Sequence, residues 1–68
     1  MSALENNILK ELDRHLLKAN VISTIMKQLT NTNIKNKFLN YLIEHRNVVL
    51  DKFEVITFIR NELSSELY

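Results

Sequence analysis

Apolar residues recur at helical spacing through the first quarter of the chain. One stripe consists of Leu4, Ile8, Leu9, Leu12 and Leu16, in which each turn is three or four positions from the next and Ile8 and Leu9 share a turn. Ser2 precedes this stripe as a candidate N-cap, and Glu5 stands three residues later, as a capping box requires. The pattern predicts a helix over about residues 3–18.

The apolar stripe changes direction beyond Lys18. At about 100° per residue, the centre of the next apolar group lies about a quarter turn from the first stripe. This group consists of Val21, Ile22, Ile25 and Met26. We expect a bend or break near Ala19 and Asn20, or burial of this half on two sides, and a second helix over about residues 20–29. The polar run 30–33 then predicts a linker, in which Asn31, Thr32 or Asn33 can cap the next helix.

A third amphipathic segment covers about residues 34–46. Its broad apolar face consists of Ile34, Phe38, Tyr41, Leu42 and His45, with Val49 continuing it. Arg46 and Asn47 can close this helix, because Arg suits a helix C-terminus and Asn tolerates a left-handed conformation. The run 48–50 is short, β-branched and apolar, and is expected to be extended.

The last segment begins with the clearest local signal in the chain. Asp51 can accept from the backbone N–H of Glu54, and Leu50 and Val55 stand where a hydrophobic staple places its two side chains. These residues predict a fourth helix over about residues 52–66. We expect its buried face to contain Phe53, Ile56, Ile59, Leu63 and Leu67.

Composition supports an all-α fold. The 68 residues include no Gly and no Pro, which small sheet-rich folds need for their turns. We therefore predict one small three- to four-helix domain over residues 1–68. A chain of this length has a marginal core, and the absence of Cys excludes disulfides, so we also expect a homodimer.

Ile43 and Phe58 do not fit the apolar faces of their helices. Ile43 points away from the face of the third helix, and Phe58 lies nearly opposite Leu63 on the fourth. Each can pack against the first helical region, or both can form an exposed apolar patch that binds another protein. Ile43 and Phe58 are therefore the candidate partner-binding residues.

Residues that would carry chemistry are sparse. No Gly-rich loop can cradle a phosphate, Cys nucleophiles are absent, and the Ser residues stand in no nucleophile elbow. Glu11 and His15 lie one helical turn apart and could ligate a metal, but His45 would join them only if the fold brought it near. We expect two partly buried histidines instead, with no metal, no cofactor and no enzymatic activity.

The favoured function is a cytoplasmic protein-interaction or regulatory module that self-associates and binds a partner protein. The alternative is a small DNA-binding regulator that uses a basic middle segment, formed by Lys27, Lys35, Lys37 and Arg46. The formal net charge of +1 does not by itself indicate nucleic acid. No apolar run approaches the roughly 20 residues of a membrane span, and no signal peptide is expected.

Overall fold

The computed structural model describes residues 2–66. Over this range the chain forms four α-helices and no strand, so the predicted all-α fold is confirmed. The helices are α1 (Ala3–Leu12), α2 (Ala19–Gln28), α3 (Thr32–Glu44) and α4 (Lys52–Glu66). None of these helices has the length and apolar composition to cross a membrane.

The four helices enclose one hydrophobic core. Helix α1 packs against α3, and α4 packs against both α3 and α2. Phe38 on α3 is fully buried, and its ring lies near those of Tyr41 and Phe58. The other buried apolar residues are Ile8, Leu12, Ile25, Leu29, Ile34, Leu42, Leu50, Val55 and Ile59.

Side-chain caps begin three of the helices. The backbone N–H of Glu5 donates to the Ser2 hydroxyl at 3.2 Å, and that of Ile34 donates to the Asn31 side chain at 2.9 Å. The N–H of Glu54 donates to the Asp51 carboxylate at 2.9 Å. Each cap satisfies one of the backbone donors that a helix N-terminus leaves without an internal partner. The caps predicted at Ser2 and Asp51 are confirmed, and of the three candidates in the linker, Asn31, Thr32 and Asn33, the structure uses Asn31.

The first helix ends earlier than its apolar stripe predicted. Helix α1 stops at Leu12, and the break covers residues 13–18 instead of lying near Ala19 and Asn20. Tighter backbone bonds form there, from the N–H of Arg14 to Glu11 and from that of His15 to Leu12. The side chains of Glu11 and His15 contact the connection between α3 and α4. These tertiary contacts override the helical pattern.

Three residues that were expected on buried faces are exposed. Leu16 is 88% exposed, because the chain has left the helix before reaching it, and Val49 is 66% exposed. Phe53 is 71% exposed, because the buried face of α4 is centred on Val55 and Ile59. Phe53 and Val55 are two positions apart, which is about 200° around a helix. Leu67, also expected to be buried, lies outside the described residues.

The third helix differs from its prediction by two residues at each end. It begins at Thr32, directly after the Asn31 cap, and ends at Glu44. His45 forms the C-cap with its N–H donating to the carbonyls of Leu42 and Ile43. Asn47 does not use the left-handed conformation predicted for it, since no residue in the described part of the chain has a positive φ.

Candidate functional site

The two longer connections between helices meet at one end of the molecule. Residues 13–18 join α1 to α2, and residues 45–51 join α3 to α4. The backbone N–H of Leu50 donates to Nδ1 of His15 at 3.2 Å. The Arg46 guanidinium donates to both carboxylate oxygens of Glu11, each at 2.8 Å. Two side chains from the region of the first connection, Glu11 and His15, therefore hold the second connection at one point each.

The Glu11 carboxylate is nearly buried, with 9% of its side chain exposed. It accepts the two bonds from Arg46, and the Arg14 guanidinium lies 3.3 Å away. Hydrogen bonding to Arg46 lowers the pKa of Glu11, and the positive charges of Arg46 and Arg14 lower it further against the opposing effect of burial. The same contact raises the pKa of Arg46. Glu11 is thus held as a charged structural anchor.

His15 is 3% exposed and anchors the second connection through its ring. Because Nδ1 accepts from Leu50, the neutral ring carries its proton on Nε2. Nε2 is buried and has no hydrogen-bond partner among residues 2–66. Within that range, no three His, Cys, Asp or Glu side chains gather as a metal-binding group. Glu11 and His15, whose spacing could suit a metal, hold the two connections together.

Large apolar side chains are exposed at this end of the molecule. They belong to four residues that we call the loop-end patch, with their exposed fractions: Leu16 (88%), Val48 (51%), Val49 (66%) and Phe53 (71%). Leu16 directly follows His15, and Val49 directly precedes Leu50, so the bond between His15 and Leu50 joins the two connections that carry the patch. The bond between His15 and Leu50 therefore holds in place the connections that carry Leu16, Val48 and Val49.

Phe53 stands between two open depressions on this surface. On one side the lining consists of Asn20, Val21, Thr24, Lys52, Phe53 and Ile56. This depression shares Val21 and Lys52 with a neighbouring one that Leu16 and Lys18 line. On the other side, Phe53 borders a depression that contains Tyr41, Glu54 and Phe58. Asp51 lines depressions on both sides.

Aromatic side chains form the floor of the depression beside Glu54. The rings of Tyr41 and Phe58 stack with their centroids 4.1 Å apart, and the centroids of the Tyr41 and His45 rings are 4.4 Å apart. Nδ1 of His45 is 2.7 Å from the carbonyl of Tyr41, to which it can donate. Burial raises the pKa of Tyr41, and the charges of Glu54 and Asp51 raise it further. The depression is thus apolar at its floor and negatively charged at its rim.

The structure places the two predicted partner-binding residues in different surroundings. Phe58 is half-buried and packs against Phe38 and Tyr41 inside the chain. Ile43 is 40% exposed and borders a separate depression with Leu39 and Arg46. The fold does not bring Ile43 and Phe58 together in one depression.

Three of the four basic residues proposed for nucleic acid lie beside carboxylates. Arg46 is bonded to Glu11, as described above. The Lys37 amine lies 3.2 Å from a carboxylate oxygen of Glu62 on α4. The amine of Lys35 lies 3.8 Å from one of Glu5, and Lys27 is exposed on α2. The positive charge of the middle segment is therefore largely balanced by neighbouring acids.

Sequence reasoning missed Leu16 and Phe53 as surface residues because helical spacing alone assigned both to the core. A usable signal for Phe53 was the staple. If Leu50 and Val55 face the core together, Phe53 must point away from it. No comparable local signal existed for Leu16, whose exposure follows from the contacts of Glu11 and His15 across the fold.

No model of a known protein family, no curated protein and no solved structure matches this chain.

Proposed function

We propose that this chain is a small, non-enzymatic protein-interaction module that binds another protein surface through the loop-end patch. The exposure of its four large apolar side chains carries the proposal. Single exposed apolar residues are ordinary on protein surfaces, but a group of them at one end marks an interaction site. The patch is also separate from the core, which is closed by other residues. A regulatory role would follow from occupation of this surface.

Support for binding comes from the way in which the patch is held. Two bonds from Arg46 to Glu11 and one from Leu50 to His15 hold the second connection beside the first. A surface that is ordered before binding loses less conformational entropy when a partner docks. The same contacts occupy the Glu11 carboxylate and Nδ1 of His15, which favours a structural role over catalysis for both residues.

The test compares variants within the patch with a matched apolar variant outside it. Tagged wild-type protein, Phe53→Glu, Leu16→Glu and Ile43→Glu serve as baits in extracts of the native host, and captured proteins are identified after cross-linking. The identified partner is then purified and titrated against each variant. Wild type and Ile43→Glu should bind it equally, because Ile43 lies outside the patch. Phe53→Glu and Leu16→Glu should lose binding.

Two results would contradict this function. One is a partner that binds Phe53→Glu and Leu16→Glu as tightly as it binds the wild type. The other is a partner lost on substitution of Ile43 alone, which would move the interface to α3. Circular dichroism of each variant establishes that loss of binding does not reflect unfolding. A cytoplasmic location, proposed because the chain lacks Cys, is checked in the same host by fractionation.

A further inference from the structure

We propose that the occupant of the loop-end patch is a second copy of this chain, docked about a two-fold axis that runs along the ridge formed by Phe53. This inference rests on the proposed function, because it assigns a partner to the same surface. It is carried by the distribution of charge on the two sides of the ridge.

One side of the ridge is cationic. Lys18 and Lys52 border the joined depressions that run from Leu16 to Phe53, with Val21 in their floor. Lys52 extends over the Phe53 ring, with its amine 5.2 Å from the ring centroid. Helix α2 begins here without a side-chain cap, so the partial positive charge of its N-terminus adds to that of the lysines. We call Lys18 and Lys52 the cationic flank.

The other side of the ridge is acidic. Glu54 borders the depression whose floor contains Tyr41 and Phe58. Asp51 stands at the start of α4 where the two sides meet, and one of its oxygens accepts from the N–H of Glu54. Asp51 also lines the depression that Lys18 and Lys52 border, so we call Glu54 alone the acidic flank. Phe53 thus lies between Lys18 and Lys52 on one side and Glu54 on the other.

A two-fold axis along such a ridge pairs unlike flanks. In an isologous contact each patch meets its own copy, and rotation about an axis in the contact plane exchanges the two sides. The cationic flank of one copy then faces the acidic flank of the other, on both sides of the axis. The two Phe53 rings meet at the axis and are removed from water together. A partner of one charge sign would match one flank and oppose the other.

The experiment uses charge reversal in two copies. Lys18→Glu places an acid opposite Glu54 of the second copy, and Glu54→Lys places a base opposite Lys18. Each variant alone should associate about 10-fold or more weakly than the wild type, because like charges meet across the contact. An equimolar mixture should recover wild-type association, since both contacts in the mixed dimer join opposite charges. Sedimentation velocity over a dilution series at low salt gives the association constants.

Three controls make the result specific. Wild type should approach twice its monomer mass of 8.0 kDa at high concentration. Phe53→Glu should stay at 8.0 kDa, and Lys10→Glu, a reversal in the depression that Ile43 borders outside the patch, should associate like the wild type. Circular dichroism checks that Glu54→Lys, which opposes the dipole of α4, remains folded.

Two outcomes would overturn the second copy as occupant. A wild-type protein that remains monomeric at every concentration would do so, and so would a mixture that associates no better than its two components. Neither outcome contradicts the proposed function, which is refuted instead by a captured partner that binds Phe53→Glu and Leu16→Glu normally or that is lost on substitution of Ile43 alone. A heterologous partner would then occupy the patch.

Discussion

Glu11 and His15 are the buried polar residues among positions 2–66, and each bridges 35 positions of sequence to hold one connection against another. Burial of a polar group is costly unless the group is hydrogen-bonded, so these side chains are stable inside only together with Arg46 and Leu50. Glu11 and His15 thereby join the two connections into one surface. Substitution of Glu11 or His15 should therefore destabilise the end of the molecule where the two connections meet more than the rest of the fold.

Replacement of His15 by Phe keeps an aromatic ring but removes the acceptor. The Leu50 N–H, which is buried, then has no partner, and we expect the free energy of unfolding to fall by about 1–3 kcal/mol. Chemical denaturation measures this loss. Amide hydrogen exchange locates it, because protection at Leu50 should fall more than protection in the middle of α3.

The matched control is His15→Asn, whose side-chain oxygen can occupy the position of Nδ1. This variant should retain protection of the Leu50 amide even though it leaves a cavity beside the ring position. Equal protection at Leu50 in the Phe and Asn variants would show that the hydrogen bond contributes nothing and that His15 acts by its volume.

The Glu11 carboxylate makes the stability of the fold depend on pH. Arg46 lowers the pKa of Glu11 below its ordinary value of 4.5, so the folded state binds this proton less readily than the unfolded state does. The stabilisation is fully present above pH 4.5 and is lost as the pH falls through the lowered pKa. Unfolding free energies of wild type and Glu11→Gln should therefore differ by a constant amount near neutrality and converge in acid.

A difference between wild type and Glu11→Gln that stays constant down to the acid limit would refute this linkage. Glu5 provides a comparison, because the Ser2 hydroxyl and then Lys35 lower its pKa at an exposed position. Its charge is better screened, so Glu5→Gln should change the pH dependence less.

At the scale of the helices, the N-termini were predictable from sequence and several other features were not. A cap and the N–H that it accepts lie within four residues, so Ser2, Asn31 and Asp51 carry their own evidence. The end of α1 depends instead on Arg46 and Leu50, far along the chain. Helical spacing continues past Leu12 without revealing those contacts.

Which face of α4 is buried also depends partly on local sequence and partly on contacts elsewhere in the fold. The local staple places Leu50 and Val55 in the core, whereas the apolar spacing from Phe53 suggested a different face. Phe58 adds a second constraint, because it stacks on Tyr41 of α3. The partner-binding residues chosen from sequence, Ile43 and Phe58, were those off the helical faces. The structure also exposes Phe53, which the apolar spacing had assigned to the buried face.

Substitution of Asp51 tests whether this residue caps α4 or takes part in binding. Its carboxylate accepts from the Glu54 N–H at 2.9 Å, so Asp51→Ala should cost about 0.5–2 kcal/mol of stability, as loss of an N-cap does. Asp51→Ser and Asp51→Asn should recover most of that loss, because both supply an acceptor. Thermal melting of the three variants measures the effect. An Ala variant as stable as the parent would show that the Asp51 cap does not stabilise the start of α4.

At the scale of the whole molecule, a single copy has the surface of a complete fold. Its accessible surface is 4640 Å², and a folded monomer of 8.0 kDa is expected to expose about 4,450 Å². One copy therefore exposes about as much surface as a folded monomer of the same mass. Any second copy adds stability only by binding the folded state.

Because a second copy adds stability only by binding the folded state, the melting temperature should depend on protein concentration. The melting temperature of the wild type should rise with protein concentration, because mass action favours the folded, associated state. That of Phe53→Glu should not rise, and the two proteins should melt together at the lowest concentration. Differential scanning calorimetry over a 100-fold dilution range is the measurement. A constant gap between the two curves would mean that Phe53 stabilises the fold of one copy.

The distribution of charge over the molecule also separates protein binding from DNA binding. Lys35, Lys37 and Arg46 lie beside acids, so phosphates would have to compete with carboxylates that are already in place. With a net charge of +1, we expect no retention of random-sequence duplex at low salt in a gel-shift assay. The opposite result would be retention that weakens steeply with salt and is abolished by Lys35→Glu with Lys37→Glu while the fold persists. That outcome would assign the basic middle segment to DNA, because only neutralised phosphates release counterions in this way.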